Sequence, residues 1–77
     1  MKQYIVRVDG RRGNYNQYGM SFLVGWFQLI GETVPQLEPS GHQAWAYDTY
    51  EEAKFMADEV AAYFNHTTVV RVICISE

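Results

Sequence analysis

One stretch of this chain carries an unambiguous period, that of an α-helix, and the rest of the fold must be built around it. Over residues 49–65, Ala53, Met56, Ala57, Val60 and Phe64 recur at spacings of three and four, which places them on one stripe of an α-helix. Thr49 followed three residues later by Glu52 forms a capping box, in which each side chain satisfies a backbone N–H that the first turn leaves open. Acids in that turn also suit the positive end of the helix dipole. The spacing predicts a helix over Thr49–Asn65.

The remainder reads as strands and turns. Gln3–Asp9 holds the β-branched Ile5, Val6 and Val8 and stops at Gly10. Arg7 and Asp9 share the side of Ile5, so that face is only partly buried. Thr68–Ser76 is a second β-branched run, and its Val69-Val70-Arg71-Val72 echoes Ile5-Val6-Arg7-Val8. The echo suggests two neighbouring central strands, each turning one arginine toward a sheet face. Ser21–Ile30 is apolar on every side. A helix would gather Phe22, Trp26, Leu29 and Ile30. A strand would set Phe22, Val24, Trp26 and Ile30 against Leu23, Phe27 and Leu29. Such short runs are ambiguous by period alone, and the aromatic content with Gly19, Gly25 and Gly31 favours the strand. Glu32–Gly41, with Pro35, Pro39, Ser40 and Gly41, reads as an irregular connection. His42–Asp48, where Trp45 and Tyr47 alternate with Ala44 and Ala46, reads as a further strand.

The expected architecture is one α+β domain over residues 1–77, in the order β-β-β-α-β. It is a four-stranded mixed sheet with one helix packed on one face. The His42–Asp48 strand, the helix and the last strand would make a right-handed βαβ crossover. One helix covers one side of such a sheet, and the other side is the expected place of function. Twelve aromatics exceed what a one-helix core can bury. Some of Tyr15, Tyr18, Trp26, Phe27, Trp45 and Tyr47 are therefore expected on the open face. Such a patch marks an interaction site, and a homodimer would cover it through a two-fold interface.

Aromatics at 16% and charged residues at 19% exclude a disordered chain. The net charge of −3 opposes a strongly basic nucleic-acid-binding domain. The charge is uneven: residues 1–30 carry a net +3 and residues 31–77 a net −6, a polarity that can steer a partner. Cys74 is the single cysteine, so no intrachain disulfide forms and a reducing compartment is expected. The start of the chain has no apolar signal region. The longest apolar stretch, Met20–Ile30, falls short of the roughly 20 residues that span a bilayer. A soluble, cytoplasmic protein with no membrane partner is expected.

Candidate chemistry is sparse. His42, His66 and Cys74 are scattered, and a zinc site needs three or four converging ligands. No nucleophile stands beside a recognisable base. Cys74, within a β-rich strand, is expected as a small buried hydrophobe, and His42 as a surface residue. No enzyme activity, catalytic residue, metal site or cofactor is expected. Gly10-Arg11-Arg12-Gly13 matches neither a P-loop nor, lying after a strand, the helix-flanked Gly-x-x-Gly loop of a nucleic-acid clamp.

Two surfaces remain. In the loop Gly10–Gly19, Arg11 and Arg12 can contact phosphates while Tyr15 and Tyr18 stack on bases, as in single-strand binding. The same composition suits a protein-binding loop. On the helix, Phe55 lies off the buried stripe. Its neighbours three and four residues away are Glu51, Glu52, Asp58 and Glu59. Like charges at those spacings weaken a helix slightly, so the array is not there for folding. It suits a docking face for a basic partner, with Phe55 as anchor.

In size, acidity and lack of a catalytic cluster, the chain resembles in kind the short accessory proteins of phages and mobile elements, many anti-CRISPR inhibitors among them. The likeness rests on no motif and implies no residue roles. The expected function is a small non-catalytic protein-interaction module. It would be an inhibitor or adaptor that covers a surface of a host protein or nucleic-acid-handling complex. The alternative is single-stranded nucleic-acid binding through residues 10–19.

Overall fold

The computed structural model describes residues 2–9 and 20–76. The loop Gly10–Gly19, and with it Arg11, Arg12, Tyr15 and Tyr18, lies outside the described residues. The elements run β1 (Lys2–Asp9), β2 (Met20–Leu29), β3 (Glu32–Glu38), a 3-10 turn (Gly41–Gln43), α1 (Tyr50–Tyr63) and β4 (Val69–Ser76). The order β-β-β-α-β and the α+β class are as the sequence predicts. The strands form one sheet in the order β3-β2-β1-β4.

Two expectations about the sheet are corrected. The sheet is antiparallel throughout and not mixed, and the third strand is Glu32–Glu38 in place of His42–Asp48. Both follow from one local cause. Leu29 pairs with Glu32, so Ile30-Gly31 closes a two-residue hairpin. Gly31 takes φ +74°, a conformation only glycine adopts at no cost. The chain therefore turns straight back. Pro35 does not prevent this, because β3 is an edge strand, where a missing N–H breaks no ladder. The helix then carries the chain from β3 at one edge to β4 at the other, so the expected βαβ unit does not form.

His42–Asp48 instead fills a split between β1 and β2. The Trp45 N–H donates to the Leu23 carbonyl at 3.1 Å, and Tyr47 bridges Tyr4. At the same place β2 carries a β-bulge between Leu23 and Gly25. The bulge shifts the alternation by one residue. Leu23 pairs with Leu37 and Trp26 with Pro35, and paired residues share a face. Leu23 and Trp26 thus lie on the same face, where simple alternation would separate them.

That face holds the core. Val6, Val8, Leu23, Ala53, Ala57 and Val60 are buried together, with Tyr4, Trp26, Leu37, Tyr47, Met56, Phe64, Val70 and Val72 packed around them. Fully burying a side chain such as Val6 or Leu23 contributes about 1.5–3 kcal/mol. The predicted helix stripe is the buried one. Thr49 is the N-cap, and its hydroxyl accepts from the Glu52 N–H at 3.1 Å.

The opposite face carries Ile5, Arg7 and Asp9 from β1, which register against Ile73, Arg71 and Val69 of β4. The echoing strands are neighbours, as expected, but β4 is an edge strand rather than a central one. Phe27, paired with Val34, belongs to this open face. Trp26 and Tyr47 do not: both pack against the helix-side core. Cys74, expected to be buried, is exposed, because an edge strand leaves its flank uncovered.

Candidate interaction site

The helix sets the geometry of the site. With Ala53, Ala57 and Val60 held in the core, positions 51, 52, 55, 59 and 62 turn toward solvent on the flank facing β2 and β3. Phe55 is 59% exposed, more than an aromatic ring this large shows when it serves the core alone. It stands between two depressions. On one side, Phe55 lines an open groove of about 570 Å3 with Trp26, Thr33, Met56, Glu59, Ala62 and Tyr63. On the other, it lines a smaller groove of about 420 Å3 with Tyr47, Glu51, Glu52 and Met56.

The structure brings Glu51, Glu52, Phe55 and Glu59 onto this surface. Asp58 is set apart. It pairs with Lys54 at 2.8 Å, and both line a third depression against β4. Lys54 is pushed above its usual value by the hydrogen bond to Asp58 and by that carboxylate's charge. The surface beside Phe55 thereby keeps three acids, and among the described residues no lysine or arginine lines either groove.

Aromatic rings complete the walls. The Tyr63 phenol is raised above its ordinary value, first by hydrogen bonding toward Glu32 and then by burial and the Glu32 charge. Tyr63 also meets Phe64 edge to face, with ring centroids 5.0 Å apart. The Tyr47 hydroxyl is buried with no hydrogen-bond partner among the described residues. Burial, and then the nearby Glu52 charge, push its pKa up.

Thr33 and Tyr63 are additions to the residues named from the sequence, while Trp26, expected on the open face, and Met56, expected in the buried stripe, line this site instead. The helical members were within reach, since Glu59, Ala62 and Tyr63 follow Phe55 at four, seven and eight residues. Trp26 was not, because the bulge at Gly25 turns it to the helix side. His42 sits in the 3-10 turn, exposed. Among the described residues no three His, Cys, Asp or Glu side chains converge as a metal site would require. No helix among the described residues is long and apolar enough to cross a membrane.

No protein-family model, curated protein or solved structure matches the chain.

Proposed function

We propose that this protein is a non-catalytic interaction module that works in the cytoplasm by covering a surface of a partner protein. Its reading surface is the solvent side of α1 with the two grooves beside it. Phe55 is the anchor, seated between Trp26 and Tyr63 on one side and Tyr47 on the other. Glu51, Glu52 and Glu59 form an acidic rim that selects a basic partner and speeds its approach. An inhibitor or adaptor of a nucleic-acid-handling protein fits this chemistry, since the surface such a protein offers to phosphates is basic. That role would agree with the likeness in kind to phage accessory proteins.

The observation that carries this reading is the exposure of Phe55 between two acid-rimmed, aromatic-walled grooves. Buried aromatic anchors dominate binding energy at interfaces, and this one is unburied in the free chain. The test is affinity capture from native lysate with and without nuclease, read by mass spectrometry. Wild type and the triple variant Glu51→Lys, Glu52→Lys, Glu59→Lys are compared. A near-stoichiometric protein held by the wild type and lost by the folded variant supports the reading. Equal capture by both removes it. Recovery of nuclease-sensitive material alone would move the function to Arg11, Arg12, Tyr15 and Tyr18.

A further inference from the structure

The two edges of the sheet differ in what they offer. β3 presents Pro35 within the strand and Glu32 and Glu38 at its ends, features that block strand addition. β4 has eight residues, Val69–Ser76, with no proline and one charge, Arg71. That charge faces Asp9 of its own chain at 3.7 Å.

The backbone of β4 points in a definable direction. Tyr4 exchanges both of its backbone hydrogen bonds with Tyr47, on the side of β1 away from β4. In an antiparallel pair, a residue that points away from its neighbour does so together with its partner. Tyr4 pairs with Cys74, Val6 with Val72 and Val8 with Val70. The N–H and C=O groups of Val70, Val72 and Cys74 therefore point outward from the sheet. They have no backbone partner among the described residues.

We infer that this edge pairs with the same edge of a second copy, in antiparallel register about Val72. In that register Val72 faces Val72 of the other copy and Val70 faces its Cys74. Val70, Val72 and Cys74 then meet one another, which satisfies their open groups. The same register opposes Val69 to Ile75. These are the two exposed large apolar side chains of β4, at 47% and 38%, and each covers the other across the two-fold axis. A shift of two residues in either direction, the smallest that keeps side chains on their own face, separates Val69 from Ile75. The occupant is thus a second copy, because the strand is complementary to itself.

The helix side permits the approach. α1 packs over β1 and β4, and the flank it turns toward the β4 edge carries Tyr50, Lys54, Asp58 and Ala61. Neighbouring strands lie about 4.8 Å apart, so the two helices come side by side on one face of an eight-stranded sheet. The Phe55 grooves lie on the opposite flank of each helix and stay open. The dimer presents two reading surfaces and does not depend on what they bind.

The full chain is tested by sedimentation velocity and by disulfide trapping in a Cys74→Ser background. Val69→Cys with Ile75→Cys places two thiols about 4.5 Å apart between Cα atoms across the dimer, within disulfide reach. Six residues apart on one strand, they cannot bridge within a chain. The expected result is a dimeric wild type, a covalent dimer of the double variant on mild oxidation, and no such product from either single variant. Val69→Lys with Ile75→Lys, both at exposed positions, is expected to be monomeric with an unchanged circular dichroism spectrum. A wild type that stays monomeric at 100-micromolar order would overturn the inference. So would a dimer untouched by the lysine pair.

Discussion

Tyr4 and Tyr47 exchange two backbone hydrogen bonds, at 2.9 and 2.7 Å, although Tyr47 belongs to no strand. The bridge shows how this small sheet fits its one helix. β1 and β2 pair at one end, from Arg7–Phe22 to Asp9–Met20, and beyond that the segment leading into the helix takes up groups that β2 no longer reaches. The result fixes where α1 starts, and so where Phe55 stands.

The bulge that opens the split rests on Gly25. Its φ of +149° is one that side chains rarely adopt, and a Cβ there would lie 3.1 Å from the Trp45 ring. Gly25→Ala is expected to cost about 1–3 kcal/mol, the usual cost of a strained backbone position. Urea unfolding checks this. An unchanged midpoint would mean that the bulge does not fix the register.

Arg7 and Arg71 register directly against each other on β1 and β4. Asp9 answers both, at 2.8 Å to Arg7 and 3.7 Å to Arg71. Like charges placed directly opposite destabilise a sheet. Asp9→Asn is expected to lower stability by about 1 kcal/mol at low salt and by less as salt rises. Thermal unfolding at two ionic strengths reads both effects, and a salt-independent loss would point to packing instead.

Tyr47 gives a pH signature. Its folded pKa is raised, chiefly by burial. A folded state that holds the proton more tightly loses stability as pH climbs past the unfolded value of about 10 toward the folded one. Stability measured from pH 8 to 11 is expected to fall at the alkaline end. Tyr47→Phe, which also removes an unpartnered buried hydroxyl, is expected to flatten part of that fall. At neutral pH it should hold or raise stability by about 1 kcal/mol. An identical alkaline slope in the variant would assign the effect to other groups, Tyr63 first among them.

What the sequence made legible follows from the range of the forces involved. The helix was readable because its cap and its stripe are local: Thr49 and Glu52 stand three residues apart, and Ala53, Ala57 and Val60 repeat with the helical turn. The neighbouring strands showed in the shared pattern around Arg7 and Arg71. The third strand was not readable. Pro35 and Pro39 look like breakers, and only the edge position of β3, a tertiary fact, makes Pro35 acceptable. His42–Asp48 alternates like a strand because Trp45 and Tyr47 do face a sheet, but as a wedge with one bridge. The side on which Trp26 lies depended on one inserted residue at Gly25. That residue decides whether Trp26 meets Phe55 at all. The acids were visible as a ring around Phe55, yet which of them remain free of a partner was decided by Lys54, one turn from Asp58.

Phe55 is the centre of the proposed binding surface, and the most direct measurement uses the partner recovered by capture. Titration calorimetry with wild type and Phe55→Ala compares their affinities. Phe55 is solvent-exposed, so the substitution leaves the core intact, and thermal unfolding of both proteins verifies it. An anchor residue contributes about 2 kcal/mol or more, so the account predicts a loss of about 30-fold or greater. An affinity within about threefold of wild type for a folded Phe55→Ala protein would contradict it, and the grooves beside α1 would then not be where this protein binds.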